Sequence, residues 1–221
     1  MTAADVAAGK GKIGAQKLGV LNHSVPGYLV EGYFHTYQPA RHRAMNPDVD
    51  HLEGLDYARG VADYYGVEKE SVGQIYGIVR DAQQKFTHTL YTPKALTPDI
   101  YMPLNGVEVT LKQGETTVAT YTTDVNYNGA FVFKNLQPGE YTVEFSHADY
   151  KADTTYTWNV DRVTKDNAPI VVKVEAAKTA YPTAFLENVN YVPPTIVYVN
   201  YPDSLAGKSF TLAEEINFTD E

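Results

Sequence analysis

The 221-residue chain has no cysteine, one tryptophan and three methionines. The first absence removes disulfides from the stability account and leaves the redox compartment unmarked. The chain also lacks any run of about 18 apolar residues, so no membrane-spanning helix is expected. The opening stretch Thr2 to Lys17 is rich in Ala, Gly and Lys, holds no histidine, and has no apolar segment of the kind an export signal carries. Positive charge is scarce as well: 18 Lys and Arg stand against 27 Asp and Glu, a formal net charge of -9. That balance argues against nucleic acid and anionic membrane as partners, since both select basic surfaces. Taken alone, these absences predict a soluble, cytoplasmic chain.

The residues that are present suggest two parts. The length, with 43% hydrophobic and 12% aromatic residues, suffices for more than one modest core. Tyr28 to Val30 form a short apolar run bounded by Pro26-Gly27 and Gly32, the pattern of a strand buried on both faces of a parallel sheet. Glu31 then stands at the strand's carboxyl end, where open α/β sheets gather catalytic groups. Burial there would raise its pKa toward working pH, as a general acid or base requires. The same position also suits a structural carboxylate that caps a loop or pairs with Arg41 or Arg43. A helix is predicted next, with Asp50 as N-cap, Glu53 as its capping-box partner, and Gly66 as the stop. Leu52, Leu55, Ala58, Val61, Ala62 and Tyr65 supply its apolar stripe.

The strings Leu18-Gly-Val-Leu21 and Val25-Pro-Gly-Tyr-Leu-Val-Glu31-Gly-Tyr-Phe34 resemble the last strand of the type 3 family of zinc-dependent N-acetylmuramoyl-L-alanine amidases. The next helix resembles the family's closing helix. The resemblance implies that Glu31 is a catalytic carboxylate and that peptidoglycan is the substrate. It also implies that the parent protein works in the cell envelope or periplasm. Zinc would polarise the lactyl-L-alanyl amide and activate water while Glu31 moves the proton. The family's His-Glu-His zinc set has no counterpart upstream here. The resemblance therefore implies that residues 1–72 are the C-terminal portion of an amidase domain, with zinc a cofactor of the intact domain and not of this chain. His23, Glu31, His35, His42 and His51 are zinc-compatible donor types. Their spacings match no short metal signature, and no metal ligand is assigned. His35, Tyr37, Arg41 and His42 are expected to line a polar loop beside the cleft and to reach substrate. One parallel strand and a helix cannot close a doubly wound sheet, so the first seventy residues are expected to pack loosely unless they dock on the second part of the chain.

From Gln74 onward the period becomes two, with Thr, Val and Tyr dominant and Gly or Pro at turns, as in an antiparallel sandwich. Strands are predicted at 75–79, 106–112, 117–123, 130–134, 139–146, 154–160 and 168–174, with turns at Asn128-Gly129 and Gln137-Pro138-Gly139. The motifs Gly77-Ile-Val-Arg-Asp81, Pro103-Leu-Asn-Gly-Val-Glu-Val-Thr-Leu111, Asn128-Gly-Ala-Phe-Val-Phe133 and Asn135-Leu-Gln-Pro-Gly-Glu-Tyr-Thr-Val143 resemble the carboxypeptidase regulatory-like domain. That resemblance implies a seven-stranded transthyretin-like sandwich over 73–176. Ala82 to Met102 is a long insertion, expected to be an ordered lid or docking loop. A related sandwich family forms internal Lys-Asn isopeptide bonds with help from a buried acid. Alternation places Glu144 with Thr142 and Ser146 on the face opposite Tyr141, Val143 and Phe145, hence toward solvent. Residues 177–221 read as a Pro- and Tyr-rich tail, either an arm packed on the sandwich or the start of a further domain, with one strand at 195–200.

The expected fold class is thus an α/β fragment followed by an all-β sandwich. Two functions are compatible with it: a peptidoglycan hydrolase of the amidase class, inactive alone for want of its zinc ligands, or a noncatalytic cell-envelope spacer or binding protein built on the sandwich. The presence of a metal set discriminates them.

Overall fold

The structure is a computed structural model that describes residues 36–86, 93–159, 162–165 and 169–192, with Gly32 and two short strands at 195–197 and 209–211. Thr36–Glu221 forms one compact unit and Met1–His35 another. The strand expected at Tyr28 to Val30, with Glu31, His23 and His35, lies outside the described residues.

Helix α1 spans Gln38–Arg43 and α2 spans Pro47–Tyr65. The start of α2 differs from the expected one. Its N-cap is Asn46, whose side chain accepts from the backbone N–H of Asp48 and Val49, with Pro47 supplying a preset φ at the first position. The Asp50 and Glu53 pair therefore lies inside the first turns of the helix. Gly66 ends it in the left-handed conformation at φ 65, as the sequence predicts. The expected apolar stripe is only half used: Leu52 is buried, but Ala58, Val61 and Tyr65 are exposed. The helix instead turns Val49, Leu52 and Arg59 inward.

Eleven strands build the sandwich among the described residues: β1 (Gly73–Lys85), β2 (Tyr101–Pro103), β3 (Glu108–Gln113), β4 (Thr116–Thr122), β5 (Ala130–Leu136), β6 (Gly139–Ser146), β7 (Tyr150–Asn159), β8 (Arg162–Lys165), β9 (Ile170–Val174), β10 (Thr179–Ala180) and β11 (Thr183–Asn188). One sheet runs β4-β3-β6-β9 and is antiparallel throughout. In the other, β1 is central. It pairs antiparallel with β5 and β2 on one side and parallel with β10 and then β11 on the other, after which β7 and β8 complete the sheet. A further pair, β12 (Thr195–Val197) and β13 (Ser209–Thr211), stands outside both sheets.

Period-two alternation explains the inner faces. On β6, Tyr141, Val143 and Phe145 are buried while Glu144 and Ser146 are exposed, and Glu144 pairs with Lys112 on β3 at 2.8 Å. The core joins Ile75, Val79, Val109, Leu111, Phe131, Val143, Val174 and Leu186 from both sheets. Strand β5 is buried on both faces: Phe131 and Phe133 enter the core, while Ala130 and Val132 lie beneath Val49 and Leu52 of α2. The helical segment thus docks on the sandwich rather than on a sheet of its own.

The predominance of β structure agrees with an all-β domain, but its extent exceeds the seven strands expected. Residues assigned by the sequence to the tail form β10 and β11, and Ala184, Phe185 and Leu186 are fully buried beside β1. The insertion between 82 and 102 is ordered where it is described. It first prolongs β1 to Lys85, then returns through a 3-10 turn at Pro98–Ile100 into β2, which pairs back onto β1.

Candidate functional site

Asp99, in that returning turn, is the centre of a cluster of charged groups. Its Oδ1 accepts from Arg80 at 2.6 Å and from Arg43 at 3.1 Å, and its Oδ2 accepts from the Tyr37 hydroxyl at 2.8 Å. Arg80 comes from the middle of β1, Arg43 from the last turn of α1, and Tyr37 from the residue before α1. Burial alone would raise the Asp99 carboxyl, but Arg43, Arg80 and the Tyr37 hydroxyl outweigh it and hold the group below the usual carboxylate range. Burial likewise pulls the Arg80 pKa down, and Asp99 opposes it. Burial and the adjacent Asp99 together push the Tyr37 hydroxyl up. Arg80 is 4% exposed, and its Nε has no hydrogen-bond partner among the described residues.

His42 lies beside this cluster with both ring nitrogens committed. Nδ1 meets the Asn126 carbonyl at 2.7 Å, which assigns the proton to Nδ1, and Nε2 then accepts from the Gln38 amide at 2.9 Å. Both contacts fix the ring's orientation between α1 and the Asn126 loop. The Asn126 loop is fastened by its own amides. Asp124 accepts from Asn46, from Asn128 and from the Asn126 backbone, and Asn128 also donates to the His42 carbonyl. The spacing Asp124-x-Asn126-x-Asn128-Gly129 is the first half of a calcium-loop signature. Here side-chain amides occupy the carboxylate.

Of the sequence-predicted residues, Tyr37 and His42 therefore enter this junction, Arg41 is exposed on α1, and Glu31 and His35 lie outside the described residues. Among the described residues no group of three or more His, Cys, Asp and Glu converges to hold a metal. The donors that are described do not fit the zinc implied by the amidase resemblance.

A second polar constellation was not visible in the sequence. Arg59 of α2 is 7% exposed and donates to Glu70 at 2.7 Å, to Asp56 at 2.7 Å, to the Thr179 hydroxyl at 2.9 Å and to the Gln74 side-chain oxygen. Gln74 on β1 and Thr179 on β10 are direct cross-strand partners. One guanidinium thus ties the helix to the first strand of the sandwich and to the segment that closes it. Tyr181 reinforces this through its hydroxyl to Asp56 at 3.1 Å and its edge-to-face contact with Tyr76. At the other end of the same sheet, Glu187 on β11 accepts from Lys151 and Tyr156 of β7, and Lys165 of β8 lies at 3.5 Å. Lys151, Tyr156 and Lys165 outweigh its partial burial and hold Glu187 down at about 2.

A family model for the SdrD B-like domain matches residues 99–182, from the 3-10 turn through β10. The match leaves out β1 and β11 and does not reach residues 1–72. No curated protein matches the chain. Among solved structures, the chain is similar to the Bacillus anthracis TIE protein, at 18% identity over 54% of this chain and 17% of that one, with a TM-score of 0.33. It is similar to GBS52, the minor pilin of the Gram-positive pathogen Streptococcus agalactiae, at 17% identity over 57% and 49%, with a TM-score of 0.33. It is also similar to BcpA, the major pilin subunit of Bacillus cereus, at 18% identity over 53% and 30%, with a TM-score of 0.31. The chain spans less than half the length of each of these three structures.

Proposed function

We propose that this chain is a noncatalytic spacer of the cell envelope whose sandwich carries load between the segments on either side of it. The carrying observation is the pairing of the unit's first and last long strands. β1 and β11 are neighbours and run parallel, from Ile78 opposite Thr183 to Asp81 opposite Leu186. The chain therefore enters at one end of the sheet and leaves toward the other, and tension along it shears the ladder instead of unzipping it bond by bond. Arg59 staples the entry end, where Gln74 meets Thr179, and Glu187 holds the exit end to β7. The SdrD B-like match over 99–182 supports a sandwich module of this kind. Among the described residues, His42, Asp99, Asp124 and Glu187 are engaged in joining elements, each bridging segments far apart in sequence.

The test against hydrolysis is direct. The full chain, incubated with zinc and isolated peptidoglycan, is expected to release no stem peptides by mass spectrometry, and Glu31→Gln is expected to change nothing. Release that disappears in the variant would overturn the noncatalytic reading.

A further inference from the structure

We infer that the pocket beside Asp99 is a binding site for a single carboxylate, presented by a peptide end or an acidic side chain. The pocket's lining includes Arg43, Arg80, Asp99, Phe86, Tyr101 and Pro103. Two guanidiniums face one carboxylate there, and both of their ion pairs fall on the same oxygen of Asp99. Among the described residues that leaves one positive charge uncompensated, in a place where the Arg80 and Arg43 side chains are only 5% and 19% exposed. A charge so placed is unfavourable unless it is paired and hydrogen-bonded. The surplus stands out in a chain of net charge -9.

The hydrogen-bond inventory agrees. A guanidinium has five N–H donors in a fixed planar fork suited to carboxylates, and the buried Nε of Arg80 has no partner among the described residues. The surplus of one favours a monoanion over a phosphate dianion. Phe86, Tyr101 and Pro103 supply an apolar wall for the stem behind the charged group.

The experiment follows the Arg80 Nε–H resonance in the ¹⁵N-labelled full chain. N-acetylalanine, carrying a terminal carboxylate, and the α-amide of N-acetylglutamate, carrying a side-chain one, are titrated separately. N-acetylalanine amide, sodium chloride and inorganic phosphate serve as controls. A saturable shift with one or both carboxylates, and none with the amide or chloride, is expected. Which probe binds identifies the source. Arg43→Gln is expected to raise the midpoint about tenfold, the usual scale for a charge-assisted hydrogen bond, and Asp99→Asn is expected to lower it. The wild-type titration decides the matter even if a variant fails to fold. The absence of a saturable shift, an equal shift with the amide or chloride, or tighter binding of phosphate would overturn the assignment.

Discussion

Replacing Arg59 with leucine is expected to lower the unfolding free energy by about 2–4 kcal/mol. Gln74 is 2% exposed, and its side-chain oxygen accepts from Arg59. Without the guanidinium that oxygen is buried and unpaired, a penalty of about 1–3 kcal/mol. Glu70, at 28% exposure, loses a 2.6 Å ion pair, which screening limits to roughly 1 kcal/mol. Asp56 is 41% exposed and returns to water at little cost, while the Thr179 hydroxyl keeps its 3.4 Å contact to Asp56. The loss is a large fraction of the roughly 5–15 kcal/mol typical of folded domains. Urea unfolding of the full chain, followed by the fluorescence of its single tryptophan, Trp158 on β7, reads it directly. The double variant Arg59→Leu with Gln74→Leu is expected to recover most of the loss, because removing both partners of a buried hydrogen bond leaves nothing unsatisfied. A single variant within about 0.5 kcal/mol of wild type, at unchanged slope, would refute the reasoning. It would mean that the apolar contact of Val49 and Leu52 and the other polar ties of α2, such as Tyr181 to Asp56, hold it to the sandwich without Arg59.

Two further outcomes are expected from the geometry. Glu187 titrates at about 2 in the folded protein, below its ordinary value of 4.5, so its stabilisation is complete above pH 4.5 and fades as pH falls toward 2. Because its lysine partners are 41% and 49% exposed, the loss is set on the order of 1–2 kcal/mol. Glu187→Gln should flatten this part of the acid limb of the urea midpoint, and a parallel decline in both proteins would contradict the assignment. Gly129 sits at φ +60, where an added Cβ would stand 2.3 Å from the Val79 carbonyl oxygen. Gly129→Ala is expected to cost more than about 2 kcal/mol, and thermal melting with an unchanged midpoint would disprove it.

The antiparallel strands were legible because alternation and turn chemistry agree: Tyr141, Val143 and Phe145 alternate with polar residues, and Asn128-Gly129 places its left-handed glycine at the turn into β5. β11 was not legible. It is buried among β1, β7 and the core, so Ala184-Phe185-Leu186 reads as a short apolar run without alternation, and its parallel partner β1 lies far upstream in the sequence. The inward face of α2 differs from the expected stripe for another reason. Hydrophobicity favoured Ala58, Val61 and Tyr65, whereas a buried arginine with four partners, drawn from β1, β10, α2 and Glu70, sets the orientation. At the charged junction, residue type was enough to single out Tyr37 and His42. Their partners, Asp99 and Asn126, are 62 and 84 residues away, beyond the reach of any local pattern.

The central claim is that the parallel β1–β11 pairing lets the sandwich withstand tension as a spacer, and pulling the full chain by its two ends in a single-molecule force experiment tests it. One dominant rupture is expected, releasing most of the roughly 400 Å that residues 73–188 span when extended, at a force that drops when Arg59 is replaced by leucine. Extension without a distinct rupture, or a rupture force indifferent to Arg59, would contradict it.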